Sequence, residues 1–185
     1  MGEIKSTMDI VMEKTRGLTM TDEERTEIQR SNAKRKVLGL LQKLLDGIIT
    51  PENFKIKFQS LEESLDISLR ELLIEECVSL MDPEDDNTAL FGVMEEVAGL
   101  NIDPFRRVLQ EFRLDVKTLR KRHEQILADE LWKAGISGSA VIPNIGADRK
   151  WTQELSNKRE EFMKKINVLA GKTVTDKGLR GQEGV

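Results

Sequence analysis

Helix start and stop signals recur along this chain, and the apolar residues between them repeat every three or four positions. That combination directs the chain into packed α-helices. Thr21 and Glu24 have the spacing of a capping box, with Met20 ahead of them. The helix they open should run to Asp46 and stop at Gly47, polar in its first half and carrying Val37, Leu38, Leu41, Leu44 and Leu45 in its second. The polar half is expected to project into solvent or to meet a partner. Thr50-Pro51 is an N-cap followed by proline where the missing N–H costs nothing, and it predicts a short helix with Phe54 and Phe58. Ser68 and Glu71 suggest a second capping box, for a helix bearing Leu69, Leu72, Leu73, Ile74, Val78 and Leu80 and closed before Pro83. Its broad apolar face marks it as the central core helix. Asn87 or Asp86 can cap the next helix, through Leu90, Phe91, Val93, Met94 and Val97 to Gly99. A short helix over residues 3–16, with Ile4, Met8, Val11 and Met12 and a stop at Gly17, is expected at the start of the chain.

Asp103-Pro104 repeats the cap-then-proline signal and begins the longest stretch, over residues 104–134, ended by Gly135. Within it Phe105, Leu109, Phe112, Val116, Leu119, His123 and Ile126 alternate by four and three, the spacing of a coiled-coil seam. Unbroken, this helix would be about 46 Å long, more than the roughly 40 Å diameter of a compact globule of this chain length. Asp115, a good N-cap, and Leu114, placed to staple onto Leu119, mark where it would break instead. Both readings stand at this level. Residues 135–147 form a loop too apolar for a solvated linker, with Val141, Ile142 and Ile145, which either folds onto the body or docks on another chain. A last amphipathic helix over residues 148–170 follows, with Trp151, Leu155, Phe162, Ile166 and Leu169, ended by Gly171. If the loop reverses the chain, this helix packs antiparallel against the long one.

The expected architecture is therefore all-α, an irregular helical bundle of about six to eight helices. It would be one helical domain over residues 1–171, divisible into 1–100 and a long hairpin at 101–171, with a disordered tail at 172–185. Composition agrees. Aromatics are 4% of the 185 residues and tyrosine is absent, while straight-chain residues that lose little rotamer freedom in a helix are plentiful. The lone Cys77 cannot form an internal disulfide and reads as a small buried hydrophobe. The first sixteen residues carry Glu3, Asp9 and Glu13 and lack the apolar core of an export signal, and no run approaches a membrane span. The expectation is a cytoplasmic protein without membrane contact.

Residue types argue against most chemistry. With one histidine, His123, a multi-histidine zinc site cannot form within the chain. His123-Glu124 begins like a zinc-protease helix, but Leu127 occupies the second histidine's place. The acidic run Asp82, Glu84, Asp85, Asp86 lacks the turn glycine and the distal glutamate of a calcium loop, where Asn87 and Val93 stand. Paired glutamates at 75–76 and 95–96 would need two Glu-x-x-His motifs to hold a di-iron centre. Phosphate-binding glycine loops and nucleophile motifs are absent from the sequence. No catalytic residue, metal ligand or cofactor site is assigned.

Charge is distributed unevenly. Residues 61–100 carry twelve acids against Arg70, a balance of −11, and residues 101–125 carry seven bases against four acids, a balance of +3. Two basic clusters stand out: Arg30, Lys34, Arg35 and Lys36, and Lys117, Arg120, Lys121 and Arg122. They are either a polyanion or nucleic-acid footprint or solvated faces that neutralise the acidic segment. A chain whose total charge is −4 and whose clusters lack stacking aromatics favours the second. The leading functional expectation is a non-enzymatic helical protein that binds a protein partner or itself. Its candidate interface is Phe105, Leu109, Phe112, Val116, Leu119 and Ile126 of the seam with Val141 and Ile142 of the loop. Nucleic-acid binding through the basic clusters is the alternative, and an enzyme or small-ligand protein is the least supported.

Overall fold

The computed structural model describes residues 21–65 and 68–180, with side chains through Lys172. The expected helix at 3–16 and the end of the chain at 181–185 lie outside the described residues. The rest folds into α1 (Asp22–Leu45), α2 (Pro51–Leu65), α3 (Arg70–Ser79), α4 (Thr88–Glu96), α5 (Asp103–Lys133), a single 3-10 turn (Ile145–Ala147) and α6 (Arg149–Arg180), without a strand among the described residues. The all-α class is as expected, with six helices among the described residues.

Helix ends governed by local hydrogen bonds fall where the sequence places them. Thr21 N–H donates to Glu24 Oε2 at 2.9 Å and Glu24 N–H to Thr21 Oγ1 at 3.2 Å, completing the capping box of α1. At the other end Gly47 adopts φ +69°, and the Ile48 and Gly47 N–H groups donate to the Lys43 and Leu44 carbonyls at 2.8 and 3.0 Å. The same pair of bonds closes α5, where Gly135 at φ +78° lets Ile136 and Gly135 donate to Leu131 and Trp132. Both ends are Schellman motifs, which require a left-handed residue that glycine adopts without strain. Thr50 Oγ1 accepts from Asn53 N–H at 3.3 Å and caps α2 as expected.

Two expected starts are corrected, at α3 and α5, and a third, at α4, falls on the residues expected. The Ser68/Glu71 box does not form, because Leu69 is fully buried at the N-cap of α3 and its N–H donates to Glu62 Oε1 of α2 at 2.9 Å. At α5 the buried Ile102 takes the cap position and Asp103 lies inside the helix, its N–H bound by Asn101 Oδ1 at 3.0 Å. At α4 the work of a cap is divided: Asn87 occupies the cap position in the left-handed region, and Asp86 Oδ1 accepts the Thr88 N–H at 3.0 Å. The acidic run before it is folded on its own backbone. Asp82 Oδ1 accepts from Glu84 N–H at 2.8 Å and Asp85 Oδ1 from Asp86 N–H at 2.7 Å.

α3 occupies the centre, packed against α1, α4 and α6, while α2 bridges α1 and α4. Leu72, Leu73, Ile74, Cys77 and Val78 are all buried, and burial pushes the Cys77 thiol up to about 12, with the neighbouring Glu76 charge adding to the effect. Cys77 is therefore a protonated core side chain, as read from its setting. α5 is continuous, without a break at Leu114-Asp115. Asp115 binds Lys158 of α6 at 3.1 Å instead of capping a helix, and Leu114 faces solvent. α6 runs antiparallel to α5 and also packs on α3, so it joins the hairpin to the other helices. It continues through Gly171 to Arg180 instead of ending at Gly171. A glycine within a helix costs only about 1 kcal/mol relative to alanine, and Gly171 is absent from the glycines at positive φ.

Candidate functional site: the closed end of the helical hairpin

The seam of α5 is largely covered by α6. Phe105, Leu109 and Phe112 lie in the core, and Phe112 meets Phe162 with ring centroids 5.4 Å apart and planes tilted by 55°. Val116 and Leu119 are half-buried and His123 is buried, but Ile126 is 41% exposed while its neighbour Leu127 is half-buried. A nearly straight helix at 3.6 residues per turn drifts by about 20° per heptad from a 3.5-residue stripe. By the third heptad the buried face has moved one residue along, and Ile126 is left outside. Among the residues picked from the sequence as an interface, Phe105, Leu109 and Phe112 are therefore interior, and Ile126 and Ile142 are the exposed ones, with Val141 half-buried.

His123 pins the closed end. The imidazole is 2% exposed, its Nδ1 hydrogen-bonds Asp148 Oδ2 at 2.8 Å, and Trp151 stands edge-on at 5.7 Å between centroids. Asp148 joins two elements, since its Oδ1 accepts the Lys150 N–H at 2.9 Å in the first turn of α6. The buried His123 Nε2 has no hydrogen-bond partner among the described residues. Glu154 Oε2 lies 3.6 Å from it, and the other Glu154 oxygen pairs with Arg122 at 3.6 Å. Ile145, in the 3-10 turn, is buried and anchors the returning chain. Loop residues 135–147 thus fold back onto the hairpin at one point while Ile142 stays out.

The hydrogen bond from His123, and after it the Lys150 backbone N–H, hold the Asp148 carboxyl below its ordinary value of 3.8. A depressed carboxylate contributes stability that is complete above the unfolded-state value and is lost as pH falls through the folded-state value. Asp148→Asn cannot titrate; its one oxygen can still accept from the Lys150 N–H, while its Nδ2 then faces His123 Nδ1, which can accept in the other imidazole tautomer. The acid-side fall in melting temperature below about pH 4 should accordingly be shallower in Asp148→Asn than in the parent chain. Melting curves by circular dichroism at stepped pH read this directly, and parallel acid slopes would contradict it.

Around this pinned end several large apolar side chains are exposed. Trp132 is 72% exposed, Ile142 86% and Ile136 50%, and Ile126 lies two turns back along α5. Trp132 and Ile136 escaped the sequence reading because both lie off the four-three seam. The available signal was their position against the Gly135 stop, where a Schellman turn fixes Ile136 by backbone bonds.

The first basic cluster is partly engaged by the acidic segment. Lys34 Nζ pairs with Glu76 Oε1 at 2.8 Å and Arg30 with Glu75 at 3.3 Å, and Glu76 is only 3% exposed. The Glu76 hydrogen bond and charge raise the Lys34 ammonium above its ordinary value. In the second cluster Arg120 pairs with Glu124 at 3.1 Å and Arg122 with Glu154, whereas Lys117, Lys121, Arg35 and Lys36 form no ion pair within 4.0 Å among the described residues. Two further pairs hold α6: Arg159 to Glu84 of the α3–α4 turn, and Lys165 to Glu111 of α5 at 3.2 Å. Among the described residues no three His, Cys, Asp or Glu side chains gather as a metal site, and no helix is long and apolar enough to cross a membrane. No protein-family model, curated protein or solved structure matches this chain.

Proposed function

We propose that this is a non-enzymatic assembly protein that associates through the closed end of the α5–α6 hairpin, with the same end of a second copy as the partner surface. The observation that carries the reading is the exposure of Trp132, in the last turn of α5, and of Ile142, in the loop whose return is held by the His123–Asp148 bond and the buried Ile145. Large apolar side chains on a fixed support lose little further freedom on binding, which is how tryptophan comes to dominate interface energetics. The first half of the seam faces the chain's own core and α6, whereas Ile126, Trp132, Ile136 and Ile142 are exposed toward its far end. An isologous contact lets one such surface serve both partners.

Changing Trp132 and Ile142 together to Asp tests this. The parent chain should scatter light as two or more chains at tens of micromolar. The double variant should scatter as one, with an unchanged helical circular dichroism spectrum. Losing one buried tryptophan anchor typically costs about 2 kcal/mol or more of binding, roughly thirtyfold in affinity. A parent mass of one chain at high concentration, or an assembly that survives both changes, defeats the reading.

A further inference from the structure

Arg106, Gln110 and Arg113 stand at i, i+4 and i+7 on α5 and therefore share one face of it. That face borders a cleft of about 340 Å³, whose other side is formed by Asp86, Thr88 and Phe91, with Leu109 also lining it. Pockets for small organic ligands begin at roughly this size, about 300 Å³. Neither guanidinium is without support. Arg113 Nη2 donates to the Asp85 carbonyl at 2.7 Å, and Arg106 Cζ lies 5.9 Å from the centroid of the Phe91 ring, over its face. Phe91 and Leu109 are buried and give the cleft an apolar floor. The lining carries two cations and one anion, and the anion is already occupied, since Asp86 accepts the Thr88 N–H at 3.0 Å.

We propose that this cleft binds a small organic anion, a carboxylate on a flat apolar body, with the carboxylate at Arg106 and Arg113 and the body against Phe91 and Leu109. Guanidinium is planar and presents several N–H donors in a fixed fork, which matches a carboxylate and also lies flat against aromatic surface. An apolar floor beneath convergent polar groups is the usual construction of such a pocket. The Asp86 carboxyl is held below its ordinary value by the Thr88 backbone and hydroxyl hydrogen bonds, with a further contribution from the Arg113 charge. It is ionised near neutral pH and works against an incoming anion, which gives the proposal a signed test.

The experiment titrates the isotope-labelled full chain with benzoate, with its neutral isostere benzamide, and with inorganic phosphate, which has charge but no apolar body. Benzoate should give saturable shifts at the amides of Thr88, Phe91, Leu109 and Gln110 and at the Arg106 side-chain N–H, and should bind more tightly than either control. Arg106→Gln should weaken benzoate at least about tenfold while lowering the melting temperature by no more than about 4 °C, the share of an exposed cation–π contact. Asp86→Asn keeps an oxygen for Thr88 and should tighten benzoate about threefold by removing the opposing charge. The proposal is overturned by no saturable shift with benzoate, by benzamide or phosphate binding as tightly, by unchanged affinity in Arg106→Gln, or by weaker binding in Asp86→Asn.

Discussion

Truncating Phe112 to alanine is expected to cost about 3–5 kcal/mol of folding stability, a large share of the roughly 5–15 kcal/mol that a domain of this size possesses. Phe112 is buried on α5 and its ring packs on Phe162 of α6, itself 2% exposed, so the substitution opens a cavity between the helices that form the hairpin. Phe162→Ala should cost a similar amount, and the double variant less than the sum, because the two rings contribute about 0.5–1.5 kcal/mol through each other. Leu114→Ala is the control on the same helix. Leu114 faces solvent, and a surface truncation of this kind should stay within about 0.5 kcal/mol. Urea unfolding followed by circular dichroism measures all four chains. If Phe112 instead sat in a contact between chains, the monomer's unfolding midpoint would not move and the scattering mass would; that outcome would remove the intramolecular hairpin from the account of this fold.

What the sequence reveals here divides by the range of the interaction involved. The Thr21–Glu24 box, the Thr50 cap and the Schellman turns at Gly47 and Gly135 are each completed within six residues, and each is readable from residue types alone. The Ser68/Glu71 box is also a local pattern. It yields to a stronger, non-local demand, the burial of Leu69 beside a carboxylate from the preceding helix. Periodicity placed Phe105, Leu109 and Phe112 on one face of a helix, but a stripe does not say whether its cover comes from the same chain. The site residues were the least legible for the same reason. His123 and Asp148 are 25 positions apart, and Arg30 and Glu75 are 45 apart. Nothing within a helical window links them. The cleft brings Asp86, Thr88 and Phe91 to Arg106, Leu109 and Arg113, fifteen or more positions further along the chain. The extended charge pattern was informative at low resolution, since the basic residues of α1 and the acids of α3 do meet, although their pairing had to be seen.

Asn87 presents the second large effect, because a single side chain organises the turn that joins α3 to α4. It is buried in the left-handed region at φ 55° and ψ 25°. Its Nδ2 donates to the Asp82 and Asp85 carbonyls at 2.7 and 2.8 Å, and its Oδ1 accepts from the Asp82 N–H at 3.0 Å. Alanine removes all three bonds, leaves part-buried backbone groups unpaired at about 1–3 kcal/mol for the set, and pays about 1–2 kcal/mol to hold a side chain at positive φ. The expected loss is about 2–5 kcal/mol. Glycine removes the same bonds but tolerates the backbone, so Asn87→Gly should be about 1 kcal/mol more stable than Asn87→Ala. Aspartate keeps the acceptor yet turns an oxygen toward two carbonyls, and it should resemble alanine more than asparagine. The loop also supplies the Asp85 carbonyl that holds Arg113 and the Glu84 carboxylate that binds Arg159 of α6. Loss of Asn87 should therefore loosen the body's grip on the hairpin as well as the turn. Hydrogen exchange of the Thr88, Phe91 and Arg113 amides, with urea midpoints for the three variants, reads both consequences. An alanine variant within 0.5 kcal/mol of the parent, or a glycine variant less stable than the alanine one, would show that the turn does not depend on this side chain and its left-handed backbone.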